Sequence, residues 1–252
     1  MRDKTMLAAV FEGEGRLSVK EVPVPAIREP DEVLLRVDAA SICGTDVRIL
    51  EVPPGHPATP GAILGHEYTG TVLEMGSGVQ GLKIGDRVVI DPNLTCGKCR
   101  YCRSGMPNMC QSMTTLGIFI NGGFARYNVA PANALHKISE DVPPDVAALA
   151  EPLSCVVNGT QKVRVQPGES VAVLGAGPIG LLFTQVFAAA GAGRIVVSEI
   201  TKTRAASVKE SFSRLVTASE TAPWRKVTSL VTLEIRSPVG FLVKNDRGWR
   251  RI

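Results

Sequence analysis

No apolar run in the 252-residue chain approaches the roughly 18 residues that a membrane-spanning helix needs, so no membrane partner is expected. The opening residues, Met1-Arg2-Asp3-Lys4-Thr5-Met6, are charged and lead directly into a strand-like run. They lack the apolar core of a secretory signal, and the expected location is cytoplasmic. There is no internal repeat, no coiled-coil heptad and no low-complexity block, which excludes solenoid and fibrous architectures. Most of the chain also lacks a charge excess. Residues 1–220 carry 21 Lys and Arg against 22 Asp and Glu, so the body offers no broad basic surface for nucleic acid. The formal charge of +4 arises in residues 221–252, where seven basic residues face only Glu234 and Asp246, and where both Trp224 and Trp249 lie. The composition therefore changes near residue 220.

What is present points to metal and cofactor chemistry. Four of the six cysteines form Cys96-x2-Cys99-x2-Cys102-x7-Cys110 in a loop rich in Gly, Pro and Asn. Four thiolates at such spacing can surround a tetrahedral Zn²⁺ with no open position, which makes a structural site. Disulfides are the competing reading, and they are rare in a reducing compartment.

Upstream, Ser41-Ile42-Cys43-Gly44-Thr45-Asp46 and Gly65-His66-Glu67 offer a thiolate, an imidazole and a carboxylate. A mixed set with a vacant position is how a catalytic zinc is built. Taken alone, Cys43 reads equally well as a small buried apolar residue, and His66-Glu67 as surface polarity.

The segment Gly65-His66-Glu67-x2-Gly70-x5-Gly76-x2-Val79, followed by the four-cysteine loop, resembles the signature of the zinc-containing medium-chain alcohol dehydrogenases. Cys43-Gly44-Thr45-Asp46 and Ala150-Glu151-Pro152-Leu153-Ser154 are most similar to its sorbitol (polyol) and threonine dehydrogenase-like branch. The resemblance implies a catalytic zinc ligated by Cys43, His66, Glu67 and Glu151, and a structural zinc on Cys96, Cys99, Cys102 and Cys110. It implies that Thr45 begins a proton relay and that Asp46 orients the metal-bound histidine. Cys155 is expected to be a buried structural thiol rather than a ligand. Arg48 stands where many relatives carry a relay histidine, and arginine does not give up its proton near neutral pH. Three readings stay open for it: a relay through water instead, an anion-binding group, or a solvated surface residue.

Residues 169–182 read as strand, glycine turn and helix, with Gly175-Ala176-Gly177-Pro178-Ile179-Gly180 opening the helix. A second strand-like run, 194–198, ends at Glu199, 19 positions after Gly180. This is the dinucleotide fingerprint: the glycines let a pyrophosphate approach the helix N-terminus, and the carboxylate accepts ribose hydroxyls. Glu199 would repel a 2′-phosphate and favours NAD over NADP, whereas Lys202 and Arg204 could accommodate one.

Short strand-like runs at 6–11, 17–21, 32–39, 69–75 and 87–90, punctuated by Gly and Pro, suit a small antiparallel barrel. The expected fold is therefore α/β plus β. The resemblance makes 1–150 a GroES-like β-barrel catalytic domain with its zinc lobe at 93–112, and 151–220 a partial Rossmann, doubly wound parallel sheet. Residues 214–220 resemble a third strand. Residues 221–252 form an unassigned basic tail in which 230–235 and 239–243 could pair as a hairpin. The resemblance stops near residue 220, so the expectation is a truncated or frame-shifted member of the family with an unpaired sheet edge. The expected activity is hydride transfer from a polyol or other secondary alcohol to NAD. The alternatives are an inactive zinc-binding fragment and, more remotely, a zinc-lobe nucleic-acid-binding module. Family members are homo-oligomers, a state the missing later strands put in doubt here.

Overall fold

A computed structural model of the chain describes residues 4–201, 203–204, 241–245 and 248–251. It divides into two compact units, Met1–Glu151 and Pro152–Ile252.

The first unit is built from antiparallel strands. Strands β1 (Thr5–Gly13) and β2 (Arg16–Pro23) form a hairpin. Its turn runs through Gly13, Glu14 and Gly15, all at positive φ, where glycine removes the steric cost. The main sheet contains β3 (Glu32–Ser41), β4 (Glu67–Met75), β5 (Arg87–Ile90), β8 (Tyr127–Pro131) and β9 (Leu135–Lys137), in the order β8-β3-β4-β5-β9. A small ladder of β6 (Asn93–Leu94) and β7 (Thr114–Thr115) closes the base of the cysteine loop. Short helices α1 (Gly44–Ile49), α2 (Arg100–Arg103) and α3 (Pro144–Ala147) punctuate the strands.

Strand β3 is central and its two faces serve two cores. Val33 and Leu35 pack with Tyr68, Val72, Val88 and Leu116, while Leu34 points the other way into Met6, Ala8, Val10 and Ile63. This follows from the period of two along a strand. Burying a Leu or Val side chain of this kind contributes about 1.5–3 kcal/mol. All five strand-like runs of the sequence are strands here, each reaching a residue or more further at one end or both, except 87–90, which matches.

The second unit begins with helix α4 (Ala150–Val163), which crosses the unit boundary. Strand β10 (Ser170–Leu174), helix α5 (Pro178–Ala189) and strand β11 (Arg194–Ser198) follow. The two strands pair in parallel, Ser170 opposite Arg194 through Leu174 opposite Ser198. Val171, Val173, Ile195 and Val197 pack against Phe183 and Phe187 of α5 and Val156 of α4.

The far edge of β10 differs from the sequence expectation. Strand β12 (Phe241–Asn245), from the segment read as an unassigned tail, pairs antiparallel with β10, and β13 (Gly248–Arg251) pairs antiparallel with β12. The sheet order is β11-β10-β12-β13, so β10 is paired on both edges. The hairpin is thus 241–245 with 248–251 rather than 230–235 with 239–243. Its alternating run ends two residues later than read, and its partner lies after it. Residues 214–220 and 230–235 lie outside the described residues. No helix among the described residues is long and apolar enough to cross a membrane.

Candidate metal centres and cofactor cleft

The β3–β4 ladder ends on the pair Ser41 and Glu67. Cys43 lies just past the end of β3 and His66 just before β4, so this register brings together residues 23 apart in sequence. The Sγ of Cys43, a ring nitrogen of His66 and a carboxylate oxygen of Glu67 lie within 4.8 Å of one another. His66 and Glu67 are buried and Cys43 is half-buried. Ser41 Oγ donates a hydrogen bond to Glu67 Oε2 at 2.5 Å, which fixes the carboxylate. Nothing in the sequence around Ser41 assigns it a task; its place opposite Glu67 emerges only from strand register.

Cys43 caps α1 in an extended conformation, and its N–H donates to Asp46 Oδ2 at 2.8 Å. The other oxygen of Asp46 lies 3.5 Å from His66 Nδ1. Both atoms are buried and neither has a closer hydrogen-bond partner. Turning Nδ1 to Asp46 leaves Nε2 as the ring nitrogen available to a metal. Burial by itself would lower the His66 pKa, but Asp46 and Cys43 outweigh it and raise it to about 10. The pocket thus stabilises positive charge, and an anionic donor set with orphaned buried atoms fits a metal cation. Thr45 is half-buried on α1 and Arg48 is exposed on the same helix. Glu151 lies in the first turn of α4 and is outside the group of three.

The four sulfurs of Cys96, Cys99, Cys102 and Cys110 also lie within 4.8 Å of one another, and all six cysteines are free of disulfides. Backbone N–H groups of Cys99 and Cys96 donate to the sulfurs of Cys96 and Cys110 at 3.3 Å, and Ser112 N–H donates to Cys110 at 3.4 Å. Such donors favour thiolates. N–H groups of Cys102 and Gln111 bring the Cys99 pKa down to about 6, and those of Lys98 and Cys99 lower Cys96. Loss of water and the neighbouring thiols push Cys102 up to about 12. Four sulfurs gathered this closely, with backbone donors favouring thiolates, could hold a metal ion, and such a set suits Zn²⁺. Cys155 is exposed on α4 rather than buried as the sequence suggested: on this helix Pro152 and Val156 occupy the core-facing positions.

In the second unit, Gly175 sits at φ 101° in the turn after β10, and Gly177 caps α5 without a side-chain hydrogen bond. A Cβ on Gly177 would meet nothing within 4 Å, so the backbone there opens on free space. That space is a cleft of about 580 Å³ lined by Gly175, Gly177, Pro178, Ile179, Glu199 and Arg204 among others. Uncapped N–H groups at a helix start suit an anion such as a pyrophosphate. Glu199, buried at the end of β11, accepts from Ala176 N–H at 2.6 Å and Thr201 N–H at 2.9 Å. Burial would raise its pKa, but these two donors hold the carboxyl below the usual range. Arg204 stands 3.8 Å from it, and Lys202 lies outside the described residues.

A β-unit holding two clusters of side chains that could hold a metal ion is followed by a strand–turn–helix–strand unit with a cleft at its glycine turn. The profile of the alcohol dehydrogenase GroES-like domain matches residues 29–140. D-altritol 5-dehydrogenase of Agrobacterium fabrum is 42% identical over 209 residues, 81% of this chain and 61% of that protein. L-threonine 3-dehydrogenase of Pyrococcus horikoshii is 42% identical over 183 residues, 71% of this chain and 51% of that protein. A Sinorhizobium meliloti protein described as a zinc-binding dehydrogenase, solved with NADP, superimposes with a TM-score of 0.78 at 37% identity, covering 82% of this chain and 60% of that one. Over residues 29–140 the chain carries the alcohol dehydrogenase GroES-like domain, and over its described length it is similar to zinc-binding, polyol and threonine dehydrogenases. It spans 51–61% of the length of these relatives.

Proposed function

We propose that the protein is a zinc-dependent oxidoreductase that transfers a hydride from a polyol or other secondary alcohol to NAD. The observation that carries this reading is the convergence of Cys43, His66 and Glu67 at the end of the β3–β4 ladder, with buried Asp46 behind the histidine. A zinc ion on these residues supplies Lewis-acid polarisation of the alcohol oxygen, and the nicotinamide supplies the hydride acceptor. Thr45, two residues along the chain from Cys43, receives the substrate hydroxyl proton and passes it outward. Asp46 holds the His66 ring, and Ser41 holds the Glu67 carboxylate. Glu151 is the proposed fourth donor of this set. Cys96, Cys99, Cys102 and Cys110 hold a second, structural zinc, giving two per chain. Gly175, Gly177, Pro178, Ile179 and Gly180 form the pyrophosphate seat, and Glu199 the ribose contact. A buried carboxylate at that contact favours NAD over NADP. A cytoplasmic location completes the proposal, in keeping with six unbridged cysteines.

The test combines metal analysis with turnover. The purified chain is expected to hold two zinc ions, to hold one after Cys43→Ala, and to reduce NAD with members of a panel of polyols and threonine. A single zinc unaffected by Cys43→Ala overturns the catalytic centre. Two zincs without turnover on any alcohol would make the chain a binding fragment rather than an enzyme.

A further inference from the structure

The chain that leaves the cysteine loop, residues 116–124, crosses directly over the residues that lead into His66 and Glu67. Three backbone N–H groups of the first segment donate to carbonyls of the second: Gly122 to Ile63 at 2.8 Å, Gly123 to Gly65 at 2.7 Å and Phe124 to Leu64 at 2.9 Å. In return, Ile63 N–H donates to Asn121 Oδ1 at 3.1 Å. The approach is close enough to require glycine. A Cβ on Gly117 or on Gly122 would run into the carbonyl oxygen of Gly65, and one on Gly117 would also stand 2.7 Å from the His66 backbone nitrogen. Gly65, the residue before His66, is therefore clamped by Gly117, Gly122 and Gly123.

The other end of the crossing is tied to the cysteine loop. Thr114 and Thr115 of β7 pair with Leu94 and Asn93 of β6, and Leu116 N–H donates to the Pro92 carbonyl at 2.9 Å, so the two ends of the loop meet at its base. The chain then turns at once: Phe119 N–H donates to the Thr115 carbonyl at 3.0 Å and Gly117 N–H to the Ile120 carbonyl at 2.7 Å. A two-stranded ladder this short is marginal by itself. Of the four cysteines between its strands only Cys110 is buried, so closing the loop falls largely to what its sulfurs hold. Leu116, packed in the same core as Val72 and Val88, keeps the turn folded in any case. An open loop then shifts the crossing without unfolding the sheet.

We propose that, with each cluster holding a zinc ion as in the functional reading above, the two centres are coupled through this crossing. The metal-closed cysteine loop seats Gly117 and Gly122 on Gly65, and that seat positions His66 and Glu67. Packed backbone and shared hydrogen bonds are the physical carriers of such coupling. Coupling between two sites of one protein typically changes affinity by about 5- to 150-fold.

The experiment is zinc competition with a chromogenic chelator on the full chain, with turnover measured in parallel. Cys43→Ala identifies which zinc of the parent belongs to which centre. Cys99→Ser, which empties the loop, is expected to weaken the remaining zinc at least fivefold. Gly122→Ala is expected to keep the loop's zinc and to weaken the other to a similar extent. Val88→Ala opens a cavity in the core of the main sheet; it is expected to lower the urea midpoint and leave both affinities unchanged. A remaining zinc held as tightly in Cys99→Ser as in the parent overturns the coupling, whether or not Gly122→Ala folds, and so does an equal loss in Val88→Ala. Either result leaves the functional reading standing where the parent holds two zinc ions and reduces NAD. Coupled affinities without NAD reduction keep the coupling and overturn that reading, and a parent with fewer than two zinc ions removes both.

Discussion

His66 Nδ1 and Asp46 Oδ1 stand 3.5 Å apart in a pocket that buries both, and neither atom has a nearer partner. A carboxylate behind a ligating imidazole fixes the ring and raises its basicity. Asp46 also holds the Cys43 N–H through its second oxygen, so one side chain positions two of the proposed ligands. Asp46→Asn keeps an acceptor for that N–H but removes the charge behind His66. It is expected to weaken zinc at this site by about 10- to 100-fold, read by competition with a chromogenic chelator, while the other zinc is unaffected. Unchanged affinity would mean that Asp46 serves only to cap α1.

The cysteine loop has no apolar core of its own to speak of. Of the four cysteines only Cys110 is buried, and α2 has no buried residue. Its order would therefore depend on the proposed ion. Cys99→Ser is expected to lower the zinc count from two to one and to open residues 95–113 to limited proteolysis, leaving the β3–β4–β5 sheet protected. Binding of structural Zn²⁺ is worth about 10–16 kcal/mol in small zinc domains, so a serine at one of four positions is a large local loss. A variant that keeps two zincs and resists protease would remove the assignment.

Lys137 Nζ donates to Asp86 Oδ1 at 2.5 Å, and Lys83 N–H donates to Asp86 Oδ2 at 2.9 Å. The Lys137 bond, ahead of the other influences, holds the Asp86 carboxyl below its ordinary 3.8. Because the folded-state pKa is depressed, the contribution is complete above that value and disappears as pH falls through the lower, folded-state value. Lys137→Met is therefore expected to be less stable than the parent in urea at pH 6 and to converge with it in acid, as pH falls through the depressed folded-state pKa. A stability difference that is the same at every pH would show that Lys137 acts through packing of β9 rather than through Asp86.

Much of the fold was legible in the sequence, because alternating strands and the glycine turn are local patterns. The positions 6–11, 32–39 and 69–75 alternate or run apolar as half- or fully buried strands do, and the Gly175–Gly180 segment carries its turn and helix start in six residues. The four cysteines were legible for the same reason: their spacing lies within one loop. The registers were not. Nothing local in Ser41 announces that it faces Glu67, which is decided by where two strands 26 residues apart come into line. Nor did the tail announce its pairing. The run 241–245 is a short apolar stretch followed by Lys244 and Asn245, and its place beside β10 depends on a free edge that belongs to a distant segment. Cys155 was misplaced because helix phase, set by Val156 against Phe183 and Phe187, decides which of two adjacent residues is buried.

Glu199 provides the sharpest test of the cofactor cleft, because its carboxylate is committed in two directions at once. Both oxygens accept backbone N–H groups, from Ala176 in the glycine turn and from Thr201 beyond β11, so the side chain ties the turn of one strand to the end of its parallel neighbour. Each oxygen keeps a further lone pair, which is what a ribose diol needs. Glu199→Ala leaves a buried Ala176 N–H without an acceptor, a loss of about 1–3 kcal/mol in stability without any cofactor. The same change removes the negative charge that a 2′-phosphate would meet and leaves Arg204 free of its carboxylate neighbour. The ratio of NADP to NAD affinity is then expected to rise roughly tenfold, about 1.4 kcal/mol. The two effects separate the two tasks. A thermal melt of the cofactor-free chain reads the tie between strands, and a fluorescence titration with each dinucleotide reads the ribose contact. Loss of stability with an unchanged affinity ratio would confine Glu199 to holding the turn, and selectivity for NAD would then have to come from elsewhere in the cleft.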